Sequence, residues 1–205
     1  MVQVVSQQRE HSALASRSWR TVDVVVGAVI AVAFGVVFWG WSQLYDAVSP
    51  AFNAVPPANG LLVGMWLVPG VLGGLVIRKP GAAFFCELVA AIVEMLLGNQ
   101  WGTTNVIYGV FEGLAPELVF AAVFYRAWKL PPVLIAGAAA GLADFFCDWF
   151  YAYPNYSLAW LSAYGGAVVV SCTLIAGAGS WWLVKALAQT GVLAPFAAGR
   201  QQAAV

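Results

Sequence analysis

All nine Lys and Arg residues of this chain fall on one side of a map of six apolar stretches, and that asymmetry constrains the fold more than any motif does. A helix needs about 20 apolar residues, within about 17–25, to cross a bilayer's hydrocarbon layer. The stretches run from Val22 to Trp41, Leu61 to Ile77, Ala82 to Leu97, Asn105 to Tyr125, Val133 to Tyr151, and through part of Leu158 to Leu187. Arg9, Arg17 and Arg20 precede the first; Arg78 and Lys79 separate the second and third; Arg126 and Lys129 separate the fourth and fifth; Lys185 and Arg200 close the sixth. The loops between, around Tyr45 to Asn59, Gln100 to Thr104 and Ala152 to Ser157, contain no Lys or Arg. The reading is an all-α membrane protein, a six-transmembrane-helix bundle with both termini cytoplasmic. Residues 1–20 and 191–205 are cytoplasmic tails, and residues 21–190 form one bundle.

Composition agrees and excludes other classes. Hydrophobic residues make up 62% and charged residues 9% of the chain, well outside a soluble domain's balance. Zero formal net charge without a basic cluster argues against nucleic-acid binding. Cys86, Cys147 and Cys172 sit in apolar runs without paired spacing and read as packing residues. His11, the single histidine, lies in the polar tail, so histidine-based catalysis and a histidine-containing metal site lack their parts. No Gly-Lys-Ser or Gly-Lys-Thr occurs, which leaves any ATP hydrolysis of the Walker type to other subunits. No cofactor and no metal are expected.

The acids carry the functional signal. Glu87 and Glu94 lie seven residues apart on the third stretch, on one helical face and about 10 Å apart along the axis. Asn105, Tyr108 and Glu112 form a stripe on the fourth, with Glu117 deeper; Asp144 and Asp148 lie one turn apart on the fifth. Glu94, Glu112 and Asp148 therefore meet in the outer half of the bundle. A carboxylate in hydrocarbon costs about 2.5–3.5 kcal/mol on insertion scales, so these groups are expected to face the interior, as a ligand site for a small cationic or heterocyclic molecule. Glu87, Glu117 and Asp144 suit structural bonds between helices at least as well, and Asp23 suits the start of the first helix.

Ten Trp and seven Tyr surround this pattern. Trp19, Trp128, Trp181 and Trp182 fit an interfacial belt, whereas Trp66, Tyr108, Trp149, Tyr151, Trp160 and Tyr164 fall beside the outer acids, where rings can stack on a flat ligand or face a cation. Gly27, Ala31 and Gly35 recur every four residues and make a smooth stripe, suited either to packing inside the bundle or to docking a partner helix.

The segment Ile77-Arg78-Lys79-Pro80-Gly81-Ala82-Ala83, followed by Glu87, Ala90-Ala91, Glu94 and Leu96-Leu97-Gly98-Asn99, strongly resembles the YkoE family of substrate-specific components of energy-coupling factor (ECF) transporters. Trp66 ahead of that turn, Gly113-Leu114 with Glu117, and Asp148 after a Phe-rich run are similar to the same pattern. The resemblance implies a six-helix S-component of the bacterial plasma membrane that captures thiamin or its hydroxymethylpyrimidine moiety. It also implies a transmembrane coupling protein and two cytoplasmic ATPases as partners. The expected ligand residues are Trp66, Glu94, Asn99, Tyr108, Glu112, Asp148, Tyr151, Trp160 and Tyr164, with Gly27, Ala31 and Gly35 as the partner-docking stripe. The alternative is a self-contained proton-coupled secondary transporter, against which stand the small size and the lack of an internal repeat.

Overall fold

The computed structural model describes residues 18–200; Arg9, His11, Arg17 and the ends of both tails lie outside the described residues. The described chain is helical, without a strand: α1 (Thr21–Val48), two 3₁₀ segments (Ser49–Phe52 and Pro56–Met65), α2 (Val68–Ile77), α3 (Ala82–Leu97), α4 (Thr104–Ala122), α5 (Leu130–Tyr151), α6 (Leu158–Cys172), a π-helical stretch (Thr173–Gly179), α7 (Ser180–Gln189) and a short α8 (Ala197–Arg200). Four segments are long and apolar enough to cross a membrane: Thr21–Phe52, Pro56–Ile77, Leu130–Tyr151 and Leu158–Gln189. The other two expected spans differ for a local reason. Helix α3 has only 16 residues, and α4 carries Asn105, Glu112, Pro116 and Glu117.

Helix α2 is the centre, with all ten of its residues buried. A helix that is apolar on every side belongs inside other helices, and the sequence VPGVLGGLVI has no polar face to offer solvent or headgroups. The chain reaches it through a 3₁₀ segment rather than a continuous α-helix. Pro56, Pro57, Gly60 and Gly64 weaken α-helical winding there, and a side chain fills the gap: Ser171 Oγ donates to the Leu61 carbonyl at 2.7 Å and accepts from the Gly64 N–H at 3.1 Å. Only glycine fits at position 64, where a Cβ would lie 2.7 Å from the Ser171 carbonyl oxygen. The 3₁₀ segment rises about 2 Å per residue against about 1.5 Å for α2, so these 22 residues extend about 35 Å.

Helix α1 starts on charge. Asp23 accepts from the Arg20 N–H at 2.8 Å and pairs with the Arg20 guanidinium at 2.7 Å and Lys79 Nζ at 2.5 Å. A fully buried acid thereby occupies the helix N-terminus and ties it to the α2–α3 turn. From there one stripe faces inward, Asp23, Gly27, Ala31, Gly35, Phe38 and Ser42, while much of the opposite face, including Val25, Val29, Val32 and Val36, is exposed.

That stripe corrects one expectation. Gly27, Ala31 and Gly35 are not offered to a partner helix, because α3 covers them: Ala31 has no exposed surface, and a Cβ at Gly35 would stand 2.5 Å from the Val93 Cβ. The small side chains let α1 and α3 approach within the bundle. The C-terminal tail is likewise less of a tail than expected, since Leu193, Phe196 and Ala198 are buried against the core.

The α2–α3 turn is closed by Arg78, left-handed at φ 57°, and Gly81 at φ 85°. Glu117 reaches across from α4 to cap the start of α3, accepting from the N–H groups of Gly81 (2.6 Å), Ala83 (3.0 Å) and Phe84 (3.4 Å) and from the Tyr125 hydroxyl (2.6 Å). Helix α5 begins on Pro131 and Pro132, whose missing N–H groups suit a first turn.

Replacing Glu117 removes the acceptor for several orphan donors at once. Glu117→Ala is expected to destabilise the protein by about 1.5–3 kcal/mol and Glu117→Gln by less, since the amide oxygen keeps part of the cap; thermal unfolding in detergent measures both.

Candidate functional site

At the end of the bundle away from the Arg78 turn, α1, α3, α4, α5 and α6 enclose a cavity of about 80 Å³ beneath the aromatic loops. Seven aromatic residues line it (Phe38, Tyr45, Trp66, Trp101, Tyr108, Tyr153 and Tyr164) with four acids (Glu94, Glu112, Asp144 and Asp148), Asn105, Val63 and Ala91. Among the described residues, no Lys, Arg or His lines it.

Glu94 is held by three donors. Its Oε1 accepts from Ser42 Oγ at 2.5 Å and from Trp66 Nε1 at 3.4 Å, and its Oε2 accepts from Asn105 Nδ2 at 2.9 Å. A carboxylate has about four acceptor positions, so one is left for a ligand. Asn105 is itself fixed, donating also to the Ala91 carbonyl at 2.9 Å. Asp148 is oriented by two phenols: Tyr108 donates to Oδ1 at 2.9 Å, and Tyr164 donates to Oδ2. Glu112 and Asp144 face one another between these two stations. Asp144 Oδ2 is buried without a hydrogen-bond partner, a costly state that a ligand donor would relieve.

The walls are rings at near right angles. Trp66 meets Tyr45 and Trp101 edge-on, each with centroids 5.5 Å apart. Tyr153 packs edge-on against Tyr164 at 4.9 Å. The chain folds back to place it there, because the N–H groups of Ala152 and Tyr153 both return to the Asp148 carbonyl, at 2.9 and 2.7 Å. Burial pushes the Tyr153 hydroxyl above its ordinary pKa, so at neutral pH it remains a proton donor.

Of the residues singled out in the sequence, Trp66, Glu94, Tyr108, Glu112, Asp148 and Tyr164 come together around this cavity, and Asn99, Tyr151 and Trp160 do not. Asn99 accepts from the Gly102 N–H at 2.8 Å and shapes the turn before α4. Tyr151 and Trp160 are 49% and 44% exposed. They sit at the ends of α5 and α6, where the helical stripe runs past its neighbours; Tyr151 leans on Tyr108 from outside at 6.1 Å.

Tyr45, Trp101 and Tyr153 line the cavity without having been singled out for it, and Asn105 and Asp144 belong to it more directly than their helical positions alone required. Tyr45 was within reach of sequence reasoning, because the Gly27, Ala31, Gly35 stripe continues in phase through Phe38 and Ser42 to it. Trp101 and Tyr153 are in turns, where periodicity carries no signal.

Glu87 lies below the cavity and does structural work. Its Oε2 accepts from the Gly70 N–H at 2.7 Å, satisfying a first-turn donor of α2 in the middle of the bundle, while its Oε1 has no partner. Among the described residues no three His, Cys, Asp or Glu side chains are grouped so as to hold a metal ion.

Residues 22–143 match a family model described as the permease component of an ABC-type cobalt transport system. The chain is 34% identical over 186 residues, 90% of its own length and 92% of the relative's, to the putative HMP/thiamine permease protein YkoE of Bacillus subtilis (strain 168). It is also similar to a protein solved as the crystal structure of an S-component of an ECF transporter, with a TM-score of 0.86 and 34% identity over 90% of this chain and 93% of that one.

Proposed function

The chain belongs to the YkoE family of ECF-transporter S-components, and on that premise we propose that it captures thiamin or its hydroxymethylpyrimidine moiety in the acidic, aromatic cavity. It then delivers that ligand inward with a transmembrane coupling protein and two ATPases. The observation that carries this reading is the pairing of four carboxyl groups with seven aromatic rings in one pocket that no Lys, Arg or His lines among the described residues. Thiamin supplies the complement: a permanently charged thiazolium for the acids and ring faces, and an aminopyrimidine whose amino group donates to a carboxylate. Hydroxymethylpyrimidine supplies the second half alone.

The chemistry of binding divides between two stations. Glu94, held by Ser42, Trp66 and Asn105, offers a fixed acceptor beside the Trp66, Tyr45 and Trp101 rings and suits the aminopyrimidine. Asp148 and Asp144 stand across the cavity, with Tyr164 and Tyr153, and suit the cation. No bond of the ligand is broken. A cobalt ion, the cargo named in the family model's description, is a poorer complement, because it calls for converging His, Cys or carboxylate ligands rather than rings. A self-contained secondary transporter would give uptake without partner subunits, and uptake in cells lacking them separates the two readings.

The bundle is read as crossing the bacterial plasma membrane six times, with α3 and α4 as the two crossings that are short or polar because they face the pocket and the core. The one-sided Lys and Arg residues put both termini in the cytoplasm. The native cysteines are all buried, so single introduced cysteines report cleanly. An impermeant maleimide on intact cells is expected to label Gln100→Cys and to spare Lys129→Cys; the reverse pattern inverts the protein.

Glu94→Gln is expected to weaken thiamin binding about ten- to a hundredfold, corresponding to about 1.5–3 kcal/mol for a lost charge-assisted bond. Trp160→Ala, outside the cavity, should stay within about twofold. Calorimetry on purified variants of matched thermal stability gives the comparison, and wild-type affinity in Glu94→Gln removes the centre of the pocket.

A further inference from the structure

Four carboxyl groups line the acidic cavity, and they are not held alike. Glu94 takes donors from Ser42, Trp66 and Asn105, and Asp148 from Tyr108 and Tyr164. Glu112 and Asp144, each only 5% exposed, are hydrogen-bonded to one another between α4 and α5. An ionised carboxylate accepts and never donates, so two of them cannot make that bond, and one must carry a proton. Asp144 Oδ2 also lies buried without a hydrogen-bond partner among the described residues, so the pair meets the cavity with an unused acceptor.

The groups around the pair set what happens when a charge arrives. Glu87 and Glu94 face it from α3, and Asp148 from the next turn of α5. Tyr45 of α1, Tyr108 of α4 and Tyr164 of α6 stand within its field, as do Cys147 of α5 and Cys172 of α6. Phenols and thiols keep their protons at neutral pH, and no Lys, Arg or His lines the cavity among the described residues, so proton exchange falls to the carboxyl groups. A positive charge within about 4–6 Å of a carboxyl group favours its ionised form by about one to three powers of ten. With the cavity as a thiamin or hydroxymethylpyrimidine site, on which this rests, we propose that Glu112 and Asp144 distinguish the two ligands: they share one proton before binding and release it to water when the thiazolium of thiamin enters. The pair then passes from one negative charge to two, and the fixed charge of the ligand offsets the second. Hydroxymethylpyrimidine has no fixed charge and leaves the proton in place. Because thiamin binding releases a proton, rising pH favours its bound state, and thiamin gains on hydroxymethylpyrimidine in that direction.

Calorimetric titration of the purified full chain with each ligand, at about pH 7 in buffers of differing ionisation enthalpy, counts the protons exchanged. Thiamin is expected to release about one proton more than hydroxymethylpyrimidine, whose common aminopyrimidine subtracts any exchange at Glu94. Between about pH 6.5 and 7.5 the ratio of thiamin to hydroxymethylpyrimidine affinity should rise about tenfold. Glu112→Gln keeps a bond to Asp144 through its amide N–H but holds no proton to release, so it should lose both the excess release and the pH slope. Asp144→Asn should do the same. Equal proton counts for the two ligands in the wild type overturn the proposal without recourse to any variant and leave the functional reading standing, as does an excess that survives in both variants. Failure to bind thiamin overturns the proposal, and failure to bind either ligand overturns the functional reading with it.

Discussion

The arrangement depends on a backbone break in the middle of the bundle. Between Met65 and Val68 the chain passes from 3₁₀ to α winding, and in a bilayer such a break survives only where protein groups satisfy the freed N–H and C=O groups. Ser171 from α6 and Glu87 from α3 do so on either side of it. Those bonds draw α3 and α6 against the second segment, and the glycines at 64, 70 and 73 permit the approach, each lying where a Cβ would fall within 3 Å of an α3 or α6 atom, as Gly74 does for Phe120 of α4. Trp66 is at the break itself, as C-cap of the 3₁₀ segment, and so projects into the cavity.

Two kinds of acid follow from this geometry. Asp23, Glu87 and Glu117 each accept from backbone N–H groups at a helix start, where the positive end of the helix dipole and the orphan donors offset the cost of burying a carboxylate. Glu94 and Asp148 bond only to side chains that also line the cavity or border it, and Asp144 keeps one buried oxygen unpaired. The first kind holds the bundle together. The second kind faces the cavity, which no Lys, Arg or His lines among the described residues, and so suits the cationic ligand proposed for it.

The charges of the sequence also separate along α2. Glu94, Glu112, Asp144 and Asp148 gather with four tyrosines at one end of α2, and Arg78, Lys79 and Lys185 lie at or beyond the other. Lys79 is spent on Asp23, fixing the start of α1 to the α2–α3 turn, whereas Arg78 and Lys185 lean on tryptophan rings. The same residue type thus serves two purposes, set by what each finds beside it.

The sequence by itself determined the helical class, most element limits, the Arg78 to Gly81 turn and the inward convergence of Glu94, Glu112 and Asp148, because apolar length, proline and glycine positions and helical phase are local properties. It also left Glu117 open to the structural role it fills. Only the tertiary structure decided which face of α1 is covered. A Gly-Ala-Gly stripe permits close approach and says nothing of which helix approaches; α3 does, so the stripe is used up inside the bundle. Tyr153 and Trp101 entered the cavity for a reason no periodicity encodes, since they lie in turns whose direction is set by backbone bonds such as Tyr153 N–H to the Asp148 carbonyl. Tyr151 and Trp160 stayed outside because phase fixes which side of a helix a residue occupies, and only packing decides whether another helix reaches that far.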